Sequence, residues 1–329
     1  MVENPVLFMT FVRPEYARPS WEAIKAAKPK TLYFYSNKGR EEKEGEIERN
    51  NEIRAYIKEI DWECNLHTWF RDECVDIYTS LLGAKNWAFE NEETLIMLEE
   101  DTCASQAFFE FCDHFLKVYK DEKRINFISG NNYAPEFEAG DRDHIICSSI
   151  HHYGWATWKD RWDSVDWNIN PQIIKSGLPF FRFFGDFWLA IYFKLHYTDL
   201  IPFIERTACW DYVKIINQIK RNELSVVPIY NLVKNVGVEG THTHKGKGLV
   251  FELPNNEDAG HYTFLNIKQK IEADVKFNIA ESTAEGWRDI PLLKRKLLQK
   301  YWFTDIQDLR NKLMIGTRFR KLISTIFYK

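Results

Sequence analysis

Apolar positions in the first 130 residues fall into short unbroken runs, separated by stretches where they recur every three to four residues. Unbroken runs of this length mark strands buried on both faces, and the longer period marks amphipathic helices. Strands are predicted at 6–12, 31–35, 64–70, 94–98 and 125–129. Helices are predicted between them: 19–28 around Trp21, Ile24 and Ala27, 41–60 around Ile47, Ile53 and Ile57, then 75–89 and 108–119. Such βαβα alternation predicts an α/β fold with a mostly parallel sheet and helices on both faces.

The pattern changes after residue 150. Between His151 and Tyr212, 17 of 62 residues are aromatic, against 16% for the whole chain. Helices are expected at 186–196 and 211–221 and a strand at 225–228, followed by the glycine-punctuated stretch 235–248. From Pro254 the sequence is polar, and Pro291 opens a basic helical tail in which 312–329 mixes leucine, isoleucine and phenylalanine with lysine and arginine. No internal repeat is visible. At 329 residues, the length suits two domains or one large domain with an extension. The expected division is one domain over 1–250, with halves 1–130 and 131–250, and an extension over 251–329.

Charge narrows the function classes. Forty-four basic against 48 acidic residues give a net −4, so no global field draws in nucleic acid. The imbalance is local: residues 291–329 carry ten basic and two acidic residues. That tail suits an anionic membrane surface, its own domain or a second subunit, so a homodimer stays open. The six cysteines are scattered without a C-x-x-C pair, as in a reducing compartment. No signal-peptide pattern opens the chain and no apolar run has the length of a membrane span. The expected location is cytoplasmic, with a peripheral position at the inner membrane face if the tail binds lipid.

The run 94–98 ends in Glu99-Glu100-Asp101, placing three acids at the carboxyl end of a parallel strand, the edge where open α/β sheets bind ligands. Alternation sends Glu99 and Asp101 to the same side. Two such carboxylates can hold Mg²⁺ or Mn²⁺, which in turn grips substrate phosphates. Acids that merely end a strand before a helix are an equal reading of the spacing alone. Thr10, Arg13, Ser36 and Asn37 fall at neighbouring strand ends on the same edge. Arg13 and Arg71 are candidate cations for phosphate or for stacking on a base. Gly154-Trp155-Ala156-Thr157-Trp158 offers indole faces to a sugar, with Trp155 the candidate acceptor floor and His152 beside it; core packing is the alternative for most of these rings.

In order along the chain, these motifs resemble nucleotide-diphospho-sugar glycosyltransferases of the GT-A fold, near the N-acetylglucosaminyltransferase I-like group. The resemblance rests on Leu98-Glu99-Glu100-Asp101 with Ser105 and Phe108-Phe109-Glu110-Phe111-Cys112. Upstream it takes in Arg13-Pro14, Pro29, Ile60-Asp61-Trp62 and Phe70-Arg71. Downstream lie Ser129-Gly130-Asn131, Gly154-Trp155, Trp210-Asp211, Asn235-Val236-Gly237 and Thr241-His242-Thr243, so it spans about residues 4–246. It departs at Glu100, where the family usually has aspartate, and at the loop 72–76, where the family usually has a glycine.

The resemblance implies that Asp101 is a metal ligand, with Glu99 and Glu100 by the ribose or the metal's waters and His242 near the diphosphate. It implies Asp211 as the base of an inverting transfer, with Asp186 a weaker substitute; a carboxylate in that role is worth roughly 10²–10⁴ in rate. The implied partners are a nucleotide-sugar donor and a glycan or lipid-linked glycan acceptor, in the synthesis of a bacterial surface polysaccharide. Two rival expectations stand beside it. One is a metal-dependent hydrolase using His151, His152, His242 and His244; the other is a non-catalytic glycan-binding module on a degenerate transferase fold.

Overall fold

The computed structural model describes residues 1–149, 151–168, 176–207, 209–237, 260–265 and 269–284. The predicted runs form β1 (Val6–Thr10), β2 (Thr31–Ser36), β3 (Asn65–Phe70) and β4 (Thr94–Glu99). Then come β5 (Thr102–Ala104), β6 (Ile125–Ser129), β7 (His144–Cys147), β8 (Trp155–Trp158), β9 (Leu224–Pro228) and β10 (Val233–Asn235). Eight strands make one sheet in the order β3-β2-β1-β4-β8-β6-β9-β7, and β10 pairs with β5 in a separate ribbon.

β1 runs parallel to β2 and β4, β2 to β3, and β6 to β9, whereas β8 is antiparallel to both β4 and β6 and β7 to β9. The sheet is thus mostly parallel, and the sequence expectation of an α/β, Rossmann-like layering holds. Every residue of β1, β6, β8 and β9 is buried, as expected of strands covered on both faces, and β1 accordingly reads as an apolar run.

The helices are α1 (Pro14–Ala27), α2 (Glu46–Arg54, continued by a 3₁₀ turn at Ala55–Glu59), α3 (Ile77–Phe89) and α4 (Gln106–Val118). They are followed by α5 (Lys159–Asp163), α6 (Leu178–Phe184), α7 (Phe187–Thr207), α8 (Trp210–Arg221) and α9 (Val275–Ala284). Helix α1 starts at Pro14, five residues before the expected start at Pro19, because proline at the first helical position loses no hydrogen bond. Helix α7 continues through Pro202 well past the expected end at residue 196.

One core cluster carries Leu7, Met9, Tyr33, Tyr35 and Met97 from the strands, Ala84, Ala88 and Phe89 from α3, and the rings of Trp155, Trp162 and Trp210. A second, smaller one gathers Ala134, Ile145, Cys147, Val227 and Phe277. The latter belongs to a strap over β7, the last strand of the sheet. Asp274 N–H donates to the Ile146 carbonyl at 2.8 Å, Leu265 N–H to Asp143 Oδ2 at 2.6 Å, and Arg142 pairs with Asp274 at 2.7 Å. An open strand edge is a template for unwanted pairing, and residues 260–265 and 269–284 pack along this one. All six cysteines are free. Among the described residues no helix is long and apolar enough to cross a membrane. The expected basic tail lies outside the described residues.

Candidate functional site

The carboxyl ends of β1, β2 and β4 open onto a cleft of about 1200 Å³. Its walls are the loops 37–42 and 72–76, the first turns of α3, and Arg206 and Thr207 at the end of α7; Glu99 and Glu100 reach it from β4. The cleft sits at the edge where parallel sheets place their ligands, because helix N-termini and strand-end side chains converge there.

Three carboxylates from two distant segments act on one another at this edge. Glu99 ends β4, Asp101 follows it, and Asp211 lies in the first turn of α8. Burial pushes the Glu99 carboxyl up to about 7, against the pull of Lys85, with Asp101 and Asp211 adding repulsion. Lys85 is fully buried on α3, donates to the Leu81 carbonyl at 3.3 Å, and lies 3.8 Å from the centre of the Trp210 ring. Burial brings its ammonium down to about 8, and the charges of Glu99 and Asp211 hold it from falling further. Tyr153, 45% exposed, feels the same three acids; partial enclosure and then their charges push its phenol up to about 12. Asp211 Oδ1 accepts the Cys209 thiol at 2.6 Å and the Tyr212 N–H at 2.9 Å.

Arg13 ties the acids to β1. Its Nε donates to Glu100 Oε1 at 2.6 Å and its Nη2 to Asp101 Oδ2 at 2.8 Å. Burial opposes its charge, and Glu100 and Asp101 more than offset that, so the guanidinium is held firmly protonated. Glu100 borders the cleft but is buried, with Oε2 accepting the Phe11 N–H at 2.6 Å and Oε1 taken by Arg13, so both of its oxygens already have protein partners. The glutamate's extra methylene, relative to aspartate, gives it the reach to this backbone amide.

The other N-terminal candidates divide. Thr10 reaches the cleft wall, but its hydroxyl donates to the Tyr35 carbonyl at 3.0 Å. The Ser36 hydroxyl is buried, donating to the Asn37 carbonyl and accepting from Asn50 and Arg54, and so is not a ligand group. Asn37 lines the cleft and clamps the loop 72–76, its Nδ2 donating to the Val75 carbonyl at 2.9 Å. Arg71 turns the other way, 4.4 Å from the Trp69 ring centre and bonded to the Tyr35 hydroxyl, and does not line the cleft.

On the acceptor side, Trp155 is a core residue rather than a floor. It is 1% exposed and stacked between Phe127 at 4.9 Å and Trp210 at 6.0 Å, so both indole faces already meet protein rings. His152 is half-buried, edge-on to Phe127 at 4.9 Å and to Trp155 and Trp210 at 5.2 Å. Asp186 caps α7, accepting the Trp188 and Leu189 N–H groups at 3.0 and 2.9 Å, and is not placed as a base. His151 lies 3.7 Å from Glu281. His242 and His244 lie outside the described residues, and among the described residues no group of three ligating side chains is assembled for a metal.

Sequence reasoning missed Lys85 and Tyr153. Lys85 had a signal: it stands with Leu81 and Phe89 at i, i+4 spacing, on the apolar face of a helix where a lysine is out of place. Tyr153 precedes the left-handed Gly154, at φ +66, and had no signal beyond that turn.

Fold and site together define an α/β protein with a ligand cleft at the carboxyl edge of a mostly parallel sheet. No family model matches the sequence, and no curated protein matches it. Among solved structures the chain is similar to an apo UDP-glucose pyrophosphorylase, 8% identical over 71% of this chain and 93% of that one, with a TM-score of 0.33. A UDP-glucose pyrophosphorylase complexed with UDP-glucose is 10% identical over 44% and 62%, with a TM-score of 0.24. 4-Diphosphocytidyl-2C-methyl-D-erythritol synthase from Anaerococcus prevotii is 8% identical over 48% and 71%, with a TM-score of 0.27. Likenesses of this size do not assign the chain to any of those families.

Proposed function

We propose that the protein is a metal-dependent, inverting glycosyltransferase of GT-A type, moving a sugar from a nucleoside-diphosphate donor to a hydroxyl of a glycan or lipid-linked glycan in bacterial surface polysaccharide synthesis. The observation that carries this reading is the placement of Glu99 in the cleft wall, where the charges of both Asp101 and Asp211 reach it. The donor's nucleotide lies between the loops 37–42 and 72–76, with its diphosphate toward Asp101. Asp211 takes the proton of the attacking hydroxyl, and Glu99 contacts the transferred sugar.

Mn²⁺ or Mg²⁺ fits this donor set. Asp101 gives Oδ2 to Arg13 and keeps Oδ1 for a cation. One carboxylate together with substrate phosphates is a common way of holding such an ion, with His242 a candidate for a further ligand. When bound, the metal neutralises charge on the leaving diphosphate. Arg13 fixes the Asp101 carboxylate for that task, and Lys85 keeps negative charge on the Glu99–Asp211 side.

Calorimetric titration with UDP, GDP and dTDP, with and without Mn²⁺, tests the reading. At least one nucleotide is expected to bind with a metal-dependent component that Asp101→Ala removes and Asp211→Asn retains. Absence of binding for every nucleoside diphosphate in the presence of Mn²⁺ would overturn it.

A further inference from the structure

The corner where α6 turns into α7 carries large apolar side chains facing water. Leu178 is 71% exposed, Phe181 48% and Phe187 58%, three large hydrophobic residues within a stretch of ten. Their neighbours Phe180, Phe183 and Phe184 are buried, so α6 carries large apolar side chains outward as well as inward, with Arg182 the one charge among them. A surface helix normally turns polar residues outward. Exposed large apolar side chains gathered at one corner mark a candidate interaction site.

The charges around the patch are mostly basic: Arg182, Lys194 and Lys220 stand against the carboxylate of Asp186. Arg182 projects from the outer face of α6 and donates to the carbonyl of Lys220, itself exposed. The Lys194 side chain comes within 3.6 Å of the Cβ position at Gly177, at the Leu178 end. The carboxylate on the corner, Asp186, is occupied as the cap of α7.

We propose that this corner docks on an anionic lipid surface. Leu178, Phe181 and Phe187 enter the boundary between headgroups and acyl chains, and Arg182, Lys194 and Lys220 meet lipid phosphates. Aromatic and aliphatic residues rimmed by arginine and lysine are the composition of interfacial lipid binding. The other occupants fit the charge less well. The chain's own 291–329 segment carries ten basic residues against two acidic ones and would bring like charge to like. A second copy of the corner, related by two-fold symmetry, would do the same. The far end of α7 reaches the cleft at Arg206 and Thr207, so the 21-residue helix sets the patch and the cleft about 30 Å apart. The proposal stands whether or not the protein transfers a sugar.

Co-sedimentation of the full chain with vesicles tests it, using phosphatidylcholine alone and phosphatidylcholine mixed with phosphatidylglycerol. Binding to the mixed vesicles only is expected. The double variant Phe181→Ser/Phe187→Ser should lower the partition coefficient roughly tenfold or more, since each ring withdraws apolar area from water on insertion. Both rings are exposed, so near-ultraviolet circular dichroism should remain that of the wild type. If the double variant loses that signal, Leu178→Gln carries the same test. Three results would overturn the proposal: no sedimentation with either vesicle, mixed-vesicle binding unchanged in the folded variant, or a concentration-dependent dimer that the substitutions abolish.

Discussion

Trp155 shows how one residue type supports opposite readings. A tryptophan after a glycine, in the most aromatic part of the chain, is as good a sugar platform as it is a core filler, and composition does not separate the two. What separates them is the environment: Phe127 and Trp210 cover its faces, and Val and Thr side chains crowd the preceding Gly154. Trp155→Ala is therefore expected to cost about 3–5 kcal/mol of stability, read as a lowered denaturation midpoint. A sugar-binding platform would instead leave the midpoint near that of the wild type. Tyr153 presents its ring outward beside the acids and is better placed to meet an acceptor. The places of Asp101 and Asn37 at the carboxyl edge of the sheet were legible because strand ends fix them, whereas Asp211 was singled out only by the resemblance. Arg71 and Ser36 were not legible, because their partners Trp69, Tyr35, Asn50 and Arg54 lie on other elements, and only packing decides which way a side chain at a strand end turns.

At the level of elements, the strands buried on both faces were readable as apolar runs in the N-terminal half, and β6 matches its expected bounds at 125–129. The strands that escaped are short. β8 was hidden inside a motif read as a ligand floor, and β5 and β10 have three residues each, too few for a period to show. Yet that ribbon positions the site. β10 pairs with β5, the Val236 N–H donates to the Asp101 carbonyl at 2.9 Å, and Gly237 follows directly. A Cβ at Gly237 would stand 2.1 Å from Asp101 Oδ2, so the glycine of Asn235-Val236-Gly237 has a steric reason: only a bare backbone passes this close to the acid. Gly237→Ala should displace the Asp101 carboxylate from Arg13. The expected result is a loss of metal-dependent nucleoside diphosphate binding with little change in the thermal midpoint. Retained binding would mean that the carboxylate position is unimportant.

Across the whole molecule, the groups that make the site also lower the stability of the fold that holds it. The Glu99 carboxyl is pushed from its ordinary 4.5 up to about 7, and the Lys85 ammonium from 10.5 down to about 8. Between pH 4.5 and 7 the native state holds a proton on Glu99 that the unfolded chain has released, so stability falls as pH rises through that window. Between pH 8 and 10.5 the unfolded chain holds a proton on Lys85 that the native state has released, so stability rises with pH there. Both unfavourable charges coincide only around pH 7–8. Replacing buried charges by uncharged groups of similar shape is commonly neutral or stabilising by about 1–4 kcal/mol. The double variant Lys85→Met/Glu99→Gln keeps shape and removes both charges. Denaturant unfolding across pH 5–10 should show it gaining on the wild type up to about pH 7–8 and losing part of that advantage on either side. A difference that does not vary with pH would mean that neither group titrates away from its ordinary value. A peak near neutrality would show that Glu99 and Lys85 are both charged there at a cost to folding.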